Sequence, residues 1–260
     1  MFNYSKIPKY YKNQIMKIKD FTFLDISRNR QIPICIYLPD ITTTKMSVVI
    51  NSPGYGGGQE AFEKYQKGLS PWPYKQNIYL AKFFTDCGYV FISIQHDIIG
   101  DRDGLETLDP NAVQSIARKH LWERGMANIL FVIEELKKQN LNLNLDKFII
   151  SGHSNGGDIA KYFANHYSKK ITHVISLDGR RCPLNSQANI KLLSFEANDT
   201  STDTGVIPNE GTQENPLRQN LEWIIIKPKN AVHQSYWDDG KEEDVKQLVC
   251  KTIKWFLNNF

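Results

Sequence analysis

The sequence predicts an α/β fold: a mainly parallel eight-stranded sheet with an N-terminal antiparallel hairpin and helices on both faces. Three observations carry this. Short apolar runs alternate with helix-length amphipathic stretches, as strands buried on both faces require. The first two strand-like segments instead alternate polar and apolar residues across a three-residue turn. The glycine-rich turns fall just after strand-like runs, where ligand sites form in such sheets.

In chain order, "DFTFLDIS" (20–27) and "QIPICIYL" (31–38) are the hairpin, joined by "RNR". "MSVVIN" (46–51) is a short strand running into "SPGYGGG". An amphipathic stretch over 76–87 precedes the strand "YVFISIQ" (89–95). Residues 111–139 carry one long helix pattern, with Ile116, Ile129, Val132, Ile133 and Leu136 on its apolar side. "KFIIS" (147–151) is a strand and 156–168 a helix. "THVISL" (172–177), "KLLSFEA" (191–197) and "EWIIIK" (222–227) are three further strands. The chain closes on an amphipathic helix, with Val245, Leu248, Ile253, Phe256 and Leu257 at helical spacing.

With 260 residues, 41% of them hydrophobic, one α/β domain is expected over 20–260, preceded by a basic tail over 1–19. The net charge of +4 is concentrated: residues 1–20 hold five lysines and one aspartate. The remaining body is balanced, which argues against a nucleic-acid-binding face. No apolar run reaches the roughly 18–20 residues that a bilayer demands, so no membrane insertion is expected. The N-terminus lacks a hydrophobic block and cleavage site, so a cytoplasmic location is expected. Cys35, Cys87, Cys182 and Cys250 are scattered, as free thiols in a reducing compartment would be. The sequence does not indicate an oligomeric state.

Between strand and helix stands "GHSNG" (152–156), a G-x-S-x-G pattern in the context it needs. The chain reverses so sharply at Ser154 that side chains two residues away would collide with neighbouring backbone. The turn presents the hydroxyl and points the following N–H groups and the helix dipole at it. A serine hydroxyl needs a base. Of six histidines, His120 and His166 fall within helices, His173 begins a strand, and His153 points away from its neighbour. His96 closes the fourth strand at the correct end of the sheet. His233, in the loop "PKNAVHQSYWDDG" between the last strand and the last helix, is the candidate base.

An acid must hold the imidazole tautomer. Asp199 follows the strand 191–197, in a loop with no lysine or arginine nearby, and is preferred. Asp178 follows the strand 172–177 and is the alternative, with Arg180 and Arg181 placed to pair with it. Asp203 is a more remote candidate. An oxyanion needs two preorganised donors; the backbone N–H groups of Tyr55, in the glycine turn, and Asn155, after the serine, are the candidates. No cofactor is required, and "HDIIGDRD" matches no metal spacing.

These residues resemble the α/β-hydrolase superfamily over about 20–259, with Ser154, Asp199 and His233 in its order of nucleophile, acid and histidine. "VVINSPGYGGG", "GYVFISIQHD" and "GHSNGG" are most similar to the dienelactone-hydrolase, platelet-activating-factor-acetylhydrolase-like and cutinase-like branch. Within it, cutinase-like and dienelactone-type members place the acid where Asp199 stands, and acetylhydrolase-like members where Asp178 stands. There are two departures: Pro53 replaces a histidine common at the oxyanion turn, which bears on loop geometry, and a serine stands where dienelactone hydrolases proper use cysteine, which bears on substrate.

The short segment between the sixth and seventh strands leaves no room for the lid domain that many members insert. Access then falls to the loops 59–77, 97–112 and 200–218, with Trp72 and Tyr74 as a candidate substrate wall or as packing. The expectation is a serine hydrolase that cleaves small carboxylic esters through an acyl-enzyme. A thioesterase or peptidase using the same machinery, or a non-catalytic ligand-binding protein, are the alternatives.

Overall fold

A computed structural model describes residues 16–40, 45–101, 103–109, 111–184, 190–207 and 221–260. Most of the basic tail lies outside them, as does much of the loop 200–218.

Eight strands form one sheet in the order β1-β2-β4-β3-β5-β6-β7-β8. They are β1 (Lys17–Asp25), β2 (Arg30–Leu38), β3 (Val48–Ser52), β4 (Val90–Ile94), β5 (Phe148–His153), β6 (Ile171–Leu177), β7 (Ile190–Phe195) and β8 (Leu221–Ile226). β1 pairs antiparallel with β2, and β2 with β4; every other pairing is parallel. Because β1 begins at Lys17, residues 17–19 belong to the sheet and not to the tail.

The helices are α1 (Gln59–Gln66), α2 (Ile78–Asp86), α3 (Gln114–Ala117), α4 (Lys119–Lys137), α5 (Asn155–Tyr167) and α6 (Glu243–Asn259). The two-residue period of the strands divides the core. Ile34, Ile36, Val48 and Ile50 face α4 and α5 on one side of the sheet. Cys35, Tyr37 and Val49 face α2 and α6 on the other. β3, β4 and β5 are buried along their whole length, because helices cover both faces there. β1, at the edge, is mostly exposed.

Three expectations are corrected. The long helix over 111–139 is broken at Arg118, and Ile116, in the short α3, is 73% exposed, away from the core stripe that starts at Leu121. The stretch 59–77 is not all loop, since it contains α1 and a short 3-10 turn over Pro73–Lys75. Leu248 faces outward on α6, although Val245, Ile253 and Phe256 are buried. β6 and β7 are separated by residues 178–189 alone, and no large lid is evident among the described residues. Among the described residues no helix is long and apolar enough to cross a membrane.

Candidate active site

Ser154 sits between β5 and α5 with φ 55° and ψ −125°, a conformation a non-glycine residue adopts only under constraint. The constraint is visible at the flanking glycines. A Cβ on Gly152 would lie 2.2 Å from the carbonyl oxygen of Gly156, and one on Gly156 would lie 1.9 Å from that of Ser52. The Ser154 carbonyl accepts the N–H groups of Gly157 (2.9 Å) and Asp158 (3.2 Å), capping the helix with backbone alone. Its hydroxyl makes no capping bond. The Ser154 N–H donates to Leu177 O at 2.8 Å, seating the serine beside the end of β6.

The residue after Leu177 is Asp178, which the structure brings to the imidazole. His233 Nδ1–H donates to Asp178 Oδ2 at 2.5 Å. Asp178 also accepts the Ala197 N–H (3.0 Å) and the Thr200 hydroxyl (3.0 Å), and Arg180 Nε lies 3.3 Å away. Burial pushes this carboxyl up, but the bonds from His233 and Ala197 and the Arg180 charge outweigh it, holding the pKa below its ordinary value. Asp199, preferred from sequence, occupies a different place: its Oδ1 accepts the backbone N–H of His233 at 2.7 Å. It steadies the histidine loop, while the ring turns to Asp178. Parallel β6 and β7 bring both loops to the same end of the sheet, so strand-end position alone does not separate the two acids. Asp203 is taken up by Arg181, which is thereby directed away from Asp178.

His153 has a role that its position beside the serine does not suggest. Its Nδ1 accepts the Trp237 indole N–H, so its other nitrogen carries the proton and donates to His233 O at 3.0 Å. Burial and the neighbouring His233 press its pKa well below the ordinary histidine range, so the ring is neutral. The same loop is fastened by Asn77 Nδ2 to Tyr236 O (2.9 Å) and by the Ser235 hydroxyl to Glu242 (2.7 Å). None of these partners carries a sequence signal, because they come from α2 and the approach to α6. His153→Phe leaves the Trp237 N–H and His233 carbonyl unpaired; a loss of about 2–5 kcal/mol in urea unfolding is expected. Stability within about 0.5 kcal/mol of wild type would refute this clamp.

A second polar chain reaches the glycine turn from behind. Arg28 bonds Asp25 (2.5 Å) and Asn128 Oδ1 (2.9 Å), which leaves the Asn128 amide N–H facing His96 Nδ1 at 3.5 Å. His96 Nε2–H then donates to Ser52 Oγ at 2.9 Å. Burial, with Arg30 and Arg124 nearby, lowers the His96 pKa to about 3, so this ring too stays neutral. It holds the end of β3, where the turn containing Tyr55 begins. The backbone N–H groups of Tyr55 and Asn155 have no hydrogen-bond partner among the described residues. The side-chain oxygen of Asn155 accepts the Trp122 indole N–H at 3.2 Å.

Trp72 and Tyr74 are used in packing. Trp72 lies against Phe62 and Tyr65, with ring centroids 5.9 and 5.6 Å apart, and Tyr74 packs on the core beneath α2. The four cysteines are unpaired; Cys87 is exposed. Among the described residues no group of three His, Cys, Asp or Glu side chains is arranged to hold a metal ion.

No known protein family matches the sequence, and no curated protein does. Solved structures do match. A dienelactone hydrolase-like promiscuous phosphotriesterase from metagenomic libraries is 14% identical at TM-score 0.59, covering 93% of this chain and 98% of its own. The dienelactone hydrolase from Anabaena variabilis is 16% identical at TM-score 0.56, with the same coverage. A thermostable esterase is 14% identical at TM-score 0.58, covering 93% of this chain and 62% of its own. With its mixed sheet and strand order, the chain therefore has the α/β-hydrolase fold and resembles the dienelactone hydrolase-like and esterase members that share it.

Proposed function

We propose that this protein is a serine hydrolase that cleaves small carboxylic esters through an acyl-enzyme. The observation that carries the reading is the Asp178–His233 bond, next to a serine in a strained turn whose hydroxyl caps nothing. His233 Nε2 takes the Ser154 proton as Oγ attacks the acyl carbon, and Asp178 stabilises the resulting imidazolium. The N–H groups of Tyr55 and Asn155 receive the developing oxyanion. His233 returns the proton to the departing alcohol. Water, deprotonated by the same ring, then releases the acid and restores Ser154. The similarity in fold to esterases and dienelactone hydrolase-like proteins supports this chemistry, and the unpaired cysteines suit the cytoplasm.

Labelling with a fluorophosphonate, followed by mass spectrometry of the digest, tests it. Ser154 Oγ is expected to displace fluoride and keep the phosphonyl group, and the adduct to vanish in Ser154→Ala. A folded protein that takes up no label would point instead to a ligand-binding role for the fold.

A further inference from the structure

Beside the glycine turn lies a cavity of about 570 Å³. Gly56, Gly57 and Gly58 form one wall, α1 a second, and Gln234 and Trp237 of the histidine loop a third. Ser154 does not line it, so the cavity is a neighbour of the attack point. It borders both loops that meet there: Gly54, two residues before Gly56, is packed against His153 and Trp237.

Its walls are unlike an acyl-chain pocket. Ala61 is the one aliphatic side chain among the described lining residues; beside it and the rings of Tyr65 and Trp237 stand Gln59, Glu60, Lys64, Gln76, Gln234 and Asp239. Lys64 is already held by Glu60 at 2.6 Å. Asp239 forms no ion pair among the described residues. Gln76 is 3% exposed, and its side-chain N–H donates to Pro71 O at 3.0 Å, yet its side-chain oxygen has no donor among the described residues. A buried acceptor without a donor is uncommon in a folded protein and calls for an explanation. The cavity therefore presents mostly polar groups, among them a buried acceptor in need of a donor, in a volume typical of small-molecule sites. An alkyl group placed there would leave the Gln76 oxygen without a donor.

We propose that this cavity is the recognition subsite for a hydroxyl-rich part of the substrate, such as a sugar ring, whose O–H groups donate to Gln76 and Asp239. The proposal rests on the reading of Ser154 as nucleophile only in calling the occupant substrate; binding itself needs no turnover.

Two measurements separate those parts. In Ser154→Ala, saturation-transfer NMR with a panel of methyl glycosides should show binding by at least one, and hexanol should not compete with it. Gly58 offers the block: its φ is −91° and a Cβ there meets nothing within 4 Å, so Gly58→Trp fits the backbone and fills the cavity. Glycoside binding should fall at least tenfold in Gly58→Trp and in Gln76→Leu, with circular dichroism confirming the fold. In the active protein, kcat/KM for a mono-acetylated sugar should exceed that for hexyl acetate by at least tenfold. That ratio should collapse in both cavity variants. Glycoside binding without ester turnover would retain the subsite and overturn the esterase reading. Turnover with no sugar preference, or no glycoside bound, would overturn the subsite.

Discussion

Asp178→Asn is expected to lower kcat on an activated ester by about 10⁴-fold, the scale of loss when a triad imidazole is held in the wrong tautomer. The carboxylate accepts the Nδ1–H at 2.5 Å and is itself fixed by the Ala197 N–H and the Thr200 hydroxyl. An asparagine keeps this shape, but with its NH₂ turned to His233 it donates to Nδ1. The proton then moves to Nε2, where it cannot accept from Ser154. Asp199→Asn preserves an oxygen that can accept the His233 backbone N–H. Only charge assistance is lost, a matter of about 1 kcal/mol, so a fall of less than about tenfold is expected. Single-turnover rates of both variants decide between the acids. A larger loss in Asp199→Asn would return the triad to the assignment preferred from sequence.

Gly156→Ala should abolish the fold of the elbow, at a cost above about 4 kcal/mol. Helix propensity predicts the reverse, since alanine is favoured over glycine by about 1 kcal/mol inside a helix, and Gly156 lies in α5. Sterics decide the sign. The added Cβ meets the backbone oxygens of Ser52 at 1.9 Å and Pro53 at 2.5 Å, which are not flexible side-chain ends. Ser52 is at the end of a central strand and is tied to His96, so it has little room to retreat. Gly58→Ala, with open space and negative φ, is the control and should stay within about 1 kcal/mol. Urea unfolding of the pair measures the difference, and a Gly156→Ala protein as stable as wild type would remove the steric account of the motif.

The eight strands and the serine turn were legible in the sequence because their causes are local. Strand periodicity follows from which face each residue must bury, so β2 shows Ile34 and Ile36 on one side and Cys35 and Tyr37 on the other. The glycines around Ser154 are required by atoms a few residues away along strand, turn and helix. The position of His233, in a loop after the last strand, followed from topology and similarly needed no coordinates.

Which carboxylate meets the imidazole was not legible, and neither were the supports of the histidine loop. Asp178 and Asp199 end adjacent parallel strands, and the sequence distinguishes them only by nearby charge. That cue failed, because Arg181 turns to Asp203, and Arg180 sits beside Asp178 without displacing the imidazole. His153, Trp237 and Asn77 act across gaps of 80 to 159 residues, where no local pattern records who meets whom. The long helix over 111–139 failed for a related reason: Ile116 fits the helical period, but the chain turns at Arg118 before the stripe reaches the sheet. The sequence by itself determined the sheet, the strained serine and the end of the sheet where the candidate site gathers, because burial and sterics act between near neighbours. Which carboxylate meets the imidazole, and what holds that loop in place, only the tertiary structure decided, because those contacts depend on side-chain directions at strand ends that converge from distant parts of the chain.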